Sequence, residues 1–122
     1  MNKYRYFTEA EIVGLDKELC AKLDTARHIA GVPFKITSGK RTAEQNNVLK
    51  GAASNSSHLS GKAVDLSCNN NGDLFLMLKG LLAAGFERIG IYHDFKMLPR
   101  HIHADISTDL PPKVVWLKME QN

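Results

Sequence analysis

The sequence predicts an α+β domain in which helices flank a small antiparallel sheet. Two observations carry this. Helical patterns lead the chain while short strand-like runs cluster in its second half, and the turn signals between those runs are of hairpin scale. A parallel βαβ wrap would instead need helices and strands in alternation. One domain over residues 1–122 is expected, since that length can bury a core without disulfides or other staples. Hydrophobic residues at 43% and charged residues at 24% exclude a disordered chain.

Taken in order, Thr8-Glu9-Ala10-Glu11 is a capping box and predicts a short helix that Gly14 ends. Asp16 then caps a longer helix. Its apolar positions Leu19, Cys20, Leu23, Ala26, Ile29 and Ala30 recur at helical spacing, and Gly31 is its stop. Residues 34–37 read as a short strand. Thr42-Ala43-Glu44-Gln45 is a second capping box and predicts a helix over residues 43–50, followed by a small, polar loop over 51–57. Residues 63–67 read as a strand in which Asp65 faces away from Val64 and Leu66. A turn over 69–72 precedes an apolar helix that begins at Asp73, runs through Leu74, Leu78, Leu81 and Leu82, and stops at Gly85. Residues 86–92 and 101–107 read as strands, 109–112 as a turn, and 113–117 as an edge strand.

A net charge of +3 is too mild for a nucleic-acid binder, and no basic run or RNA-binding aromatic signature is present. No apolar run approaches the length of a membrane span. The opening Met1-Asn2-Lys3-Tyr4-Arg5-Tyr6-Phe7 leads into a polar helix start with no apolar stretch, so no signal peptide and cytoplasmic synthesis are expected. Cys20 and Cys68 are far apart and outside any CxxC pair, so two reduced thiols are expected.

The chemistry concentrates in three pieces. Ser56-Ser57-His58-Leu59-Ser60-Gly61-Lys62-Ala63-Val64-Asp65 sets a histidine and an aspartate seven residues apart, with a glycine to turn the backbone between them. His101-Ile102-His103-Ala104-Asp105 puts two histidines and a carboxylate on one face of an alternating strand. Ser38-Gly39-Lys40-Arg41 adds a basic turn upstream. Alone, Arg41 would read as a surface residue and His58 as a histidine that caps, hydrogen-bonds or sits at the surface, and His28 and His93 do read as structural or surface histidines. The joint pattern of His58, Asp65 and a His-x-His 38 residues after Asp65 points to a catalytic zinc held by His58, Asp65 and His103, with one position left for water. Asp65 inside an apolar strand also demands a cation or hydrogen bonds.

These residues resemble the M15 family of zinc D-Ala-D-Ala peptidases, including its phage endolysin members. Ser56, His58, Gly61, Ala63 and Asp65 match its Ser-x-His-x-x-Gly-x-Ala-x-Asp motif without a gap; Ser38, Gly39 and Arg41 match its Ser-Gly-x-Arg; His103 matches its later zinc histidine. The likeness covers residues 6–106 and implies the fold shared with Hedgehog-type signalling domains. It implies a zinc peptidase acting on peptidoglycan peptides, as a D-Ala-D-Ala carboxypeptidase or as an endopeptidase of the stem or cross-bridge. A monomer is expected, and the lack of a signal peptide leaves two expectations, release to the cell wall by phage-type lysis or a cytosolic protein whose wall contact is indirect. His58, Asp65 and His103 would bind zinc, and Arg41 and Ser56 would bind substrate. Arg41 would hold a terminal carboxylate or stabilise the scissile carbonyl. Several branches carry an acidic base three residues before the last zinc histidine, where this chain has Arg100. The branch with His-x-His uses the first histidine, so His101 is the expected group for proton transfer or transition-state stabilisation, with Asp94 as a fallback base. Asp105 is expected to orient a zinc ligand. The rival readings are a non-catalytic zinc module of the same fold and a cell-wall-binding domain without metal.

Overall fold

Asp16 sets the start of the first helix: its carboxylate accepts from the backbone N–H of Glu18 at 2.8 Å and of Leu19 at 3.4 Å. In the computed structural model, which describes residues 3–38 and 60–120, this helix is α1, Lys17–Ala30. Gly31 closes it, donating its N–H to the Arg27 carbonyl. The other described elements are β1 (Ile36–Ser38), β2 (Ala63–Ser67), α2 (Asn71–Ala83), β3 (Arg88–His93), β4 (Pro99–Asp105) and β5 (Val114–Met119). The expected helix over 43–50 and the loop after it lie outside the described residues.

Two expectations are corrected. The Thr8–Glu11 capping box does form: Thr8 N–H donates to Glu11 Oε1 at 2.9 Å, and Glu11 N–H donates to Thr8 Oγ1 at 3.3 Å. No helix follows it, and residues 9–14 turn instead. Too few residues separate the box from Gly14 to repay the cost of nucleating a helix. The second apolar helix starts earlier than Asp73, because Asn70 is its cap and accepts from Asp73 N–H at 2.7 Å.

The sheet order is β1-β2-β4-β3-β5. Three of its pairings are antiparallel, and β5 adds to the outer edge parallel to β3. One face of the sheet presents Val64, Leu66, Ile89, Ile102 and Ala104 to Leu19 and Leu23 of α1 and Met77 and Leu81 of α2. Fully burying each of these side chains other than Ala104 is worth about 1.5–3 kcal/mol, so this layer supplies most of the driving force. Cys20 and Cys68 are free and buried, and burial pushes both thiols up, which suppresses thiolate chemistry.

α1 and α2 touch at Gly80, where an added Cβ would run into the Ala26 carbonyl oxygen and crowd Ala30. Gly80→Ala is therefore expected to destabilise the protein by about 1–3 kcal/mol, although alanine is the better helix former. Thermal denaturation by circular dichroism should show Tm falling by roughly 5–10 °C.

Candidate active site

Strand alternation sends the odd-numbered residues of β2 and β4 to the face away from the helices. Cross-strand register then arranges that face in rows. The middle row is Asp65, His103, Gly90 and Trp116; one flanking row contains Ser67, His101, Tyr92 and Lys118; the other contains Ala63, Asp105, Arg88 and Val114. Gly90 is what lets the row close, because any Cβ there would collide with the Trp116 indole lying over it. Trp116 is thereby held beside His103, with ring centroids 5.5 Å apart.

His103 sits between two carboxylates. Its Nδ1 is 3.1 Å from Asp65 Oδ1 and its Nε2 is 2.7 Å from Asp105 Oδ2. Asp105 is buried and fully engaged. Its Oδ1 accepts from Arg88 Nε at 2.9 Å and from the Ser107 N–H at 3.1 Å. Arg88 in turn donates to the Pro111 carbonyl and lies over the Trp116 ring. Burial alone would lower the affinity of His103 for a proton, but the hydrogen bonds and charges of Asp105 and Asp65 outweigh it and raise the pKa above the ordinary histidine value. Burial alone would raise Asp105, yet His103, the Ser107 N–H and Arg88 hold it below the usual carboxylate value.

A neutral imidazole has one donor and one acceptor nitrogen. The short bond to buried Asp105 assigns the proton to Nε2. Nδ1 then turns a lone pair toward a carboxylate oxygen of Asp65, an arrangement that is repulsive unless a proton or another cation lies between them. The pair Asp65 Oδ1 and His103 Nδ1 can thus hold a metal ion, and their 3.1 Å separation is close to the roughly 3.3 Å between two ligands of one tetrahedral zinc. Among the described residues no three His, Cys, Asp or Glu side chains converge as a metal-binding set.

Of the residues expected from sequence, Asp65, His101, His103 and Asp105 share this face, whereas Arg41, Ser56 and His58 lie outside the described residues. Gly61 has φ +75°, in keeping with its expected role as the turn into β2. Arg100 is the extra residue of a β-bulge, between the His101–Tyr92 and Pro99–His93 pairs. Asp94 is committed elsewhere: its Oδ1 accepts from Lys96 N–H at 2.8 Å and Leu98 N–H at 3.0 Å, closing the β3–β4 turn. Those bonds, Leu98 first, hold its carboxyl below the usual range, the wrong direction for a base at neutral pH. His93 Nδ1 pairs with the Asp94 carbonyl and His28 Nδ1 accepts from Tyr6 Oη, so both are structural, as expected.

The chain matches the Peptidase M15 family over residues 5–105. It belongs to that family. Its fold is similar to the crystal structure of Serratia marcescens L-Ala D-Glu endopeptidase ChiX, with a TM-score of 0.61 and 18% identity over 88% of this chain and 93% of that one. No curated protein matches it. The M15 peptidase match ends at Asp105, at the end of β4. Four contributors to the face were missed in the sequence: Arg88, Tyr92, Trp116 and Glu120. Trp116 is the sole tryptophan of the chain, and Arg88 is a charge within the strand expected over residues 86–92; those were the signals available. Glu120 gave none, because the parallel placement of β5 is what brings it to His101.

Proposed function

We propose that this M15 peptidase is a zinc enzyme that hydrolyses peptide bonds of peptidoglycan, with His58, Asp65 and His103 as the metal ligands. The observation that carries the metal is the orientation of His103, whose Nε2 lies 2.7 Å from buried Asp105 and whose Nδ1 lies 3.1 Å from the Asp65 carboxylate; with Asp105 accepting from Nε2–H, the Nδ1 lone pair faces Asp65. That is the carboxylate–histidine–zinc relay in which an outer carboxylate fixes the tautomer of a metal ligand. The donor set of two imidazoles and a carboxylate fits a catalytic zinc. Bound there, zinc would supply an acidified water near neutral pH and polarise the scissile carbonyl.

The chain's own residues supply the rest. Asp105, locked by Arg88, keeps His103 in one tautomer and one orientation. His101 is one alternation along β4, about 7 Å from His103, and passes a proton to or from the reacting groups. Trp116 and Tyr92 form an apolar wall beside these polar groups. Arg41 and Ser56 bind the peptide. The similarity in fold to an L-Ala D-Glu endopeptidase favours cleavage within the stem peptide over removal of a terminal D-alanine.

The test is digestion of purified peptidoglycan with and without a zinc chelator, with products read by mass spectrometry. Chelator-sensitive release of peptides cut within the stem is expected. Release of D-alanine alone would replace the endopeptidase assignment with a carboxypeptidase. Bound zinc with no release from several wall types would make the domain a non-catalytic zinc module.

A further inference from the structure

We infer that Glu120 is the positioning residue for His101, holding its imidazole in the Nδ1–H tautomer. This inference rests on the peptidase reading above and deepens it. Glu120 continues β5 by one residue, its N–H donating to the His93 carbonyl at 2.8 Å. That bond fixes its backbone against β3. Its Oε1 lies 3.2 Å from His101 Nδ1. A carboxylate only accepts, so the ring nitrogen facing it carries the proton, and in the neutral ring Nε2 then carries the lone pair.

A second contact acts on the same ring. Tyr92 stacks on His101 with centroids 4.4 Å apart and planes 13° from parallel, and Tyr92 Oη itself accepts from Trp116 Nε1 at 3.3 Å. The stack sets the plane of the imidazole, and Glu120 sets its rotation within that plane. An exposed Glu–His pair alone would be worth about 0–1 kcal/mol and imply nothing. Here two independent constraints converge on one ring, two residues from His103 and on the same sheet face. Glu120 and the Trp116 that holds Tyr92 Oη both come after Asp105, where the family match ends, so β5 and its continuation add one of the two constraints and brace the other, which Tyr92 of β3 supplies.

The experiment is ¹⁵N-detected NMR of the histidine rings at pH 8 in wild type and Glu120→Ala, paired with steady-state kinetics on peptidoglycan fragments. Wild-type His101 is expected as the Nδ1–H form, and Glu120→Ala should move it to the Nε2–H form. Glu120→Ala should lower kcat by about 10-fold or more with KM within roughly 2-fold, while zinc content and Tm stay at wild-type values. Glu120→Gln, whose amide oxygen accepts the same bond, should retain kcat within about 3-fold. Adding Glu120→Ala to His101→Ala should cost nothing further, because the two residues act as one unit. A wild-type His101 in the Nε2–H form, a tautomer unmoved by Glu120→Ala, or a wild-type kcat in that variant would each overturn the inference. If the wild-type protein cuts no wall peptide, the proposed function falls, and the tautomer measurement still decides the positioning.

Discussion

His103→Ala is expected to abolish zinc binding and to lower peptidoglycan hydrolysis by more than about a thousand-fold, the equivalent of some 4 kcal/mol of lost transition-state stabilisation. Metal analysis of the purified variant and chelator-sensitive product release measure the two effects. The reasoning begins with the ring's position. His103 is the middle member of the row from Asp65 to Trp116, and both its nitrogens face carboxylates. Alanine removes a metal ligand and leaves Asp65 without its partner at Nδ1. The fold should survive, since Asp105 keeps Arg88 and the Ser107 N–H. A folded variant that holds zinc stoichiometrically would refute the ligand assignment.

The same geometry fixes the sign of a pH effect. The pKa of His103 is raised in the folded protein. In the metal-free protein, the stability its cation contributes is present below the unfolded value of about 6.5 and is lost as pH rises through the raised folded value. Zinc needs the neutral ring, so zinc affinity should fall as pH drops through that same raised value.

Much of this was legible because the sequence signals were local. Asp16 and Gly31 bracket α1 through contacts within a few residues, and alternation alone put His101, His103 and Asp105 on one strand face and turned Asp65 away from Val64 and Leu66; the β2–β4 register then brings Asp65 beside His103. What was not legible depended on distant chain. Thr8 and Glu11 satisfy each other as a capping box anywhere, but whether a helix follows depends on how soon a glycine ends it. Asn70 and Asp73 can both begin a helix, and the choice fell to the residue whose side chain reaches the other's N–H. The strand character of β5 and the turn over 109–112 could be read, but not the parallel run of β5 along β3, because a turn signal does not say which strand the chain rejoins or in which direction. Trp116 and Glu120 reach the site only through that run. Arg88 meets Asp105 across a strand pair, and nothing within either strand announces the other.

Asp105 gives the second large effect, and two substitutions there separate stability from metal binding. Asp105→Ala should cost about 3–5 kcal/mol, because it strips a nearly buried guanidinium of its carboxylate and orphans the Ser107 N–H. The Pro111 carbonyl and the Trp116 ring still hold Arg88, which places the loss toward the lower end of that range. Asp105→Asn keeps an oxygen for Arg88 and can present its amide N–H₂ to His103 Nε2. The imidazole then places its proton on Nδ1, the nitrogen that faces Asp65, and the lone pair offered to the metal is lost. Zinc affinity in this variant should drop by about 10–100-fold with a smaller loss of stability. Competition with a chelator measures the first, and urea denaturation of the metal-free proteins the second. Asp105 also titrates with the opposite sign to His103. Its folded pKa is depressed, so its contribution is present above the unfolded value of about 3.9 and is lost as pH falls through the lower folded value. The acid limb of the wild-type stability curve should therefore flatten in Asp105→Asn. An unchanged acid limb together with unchanged zinc affinity would mean that Asp105 neither carries the buried charge nor orients His103.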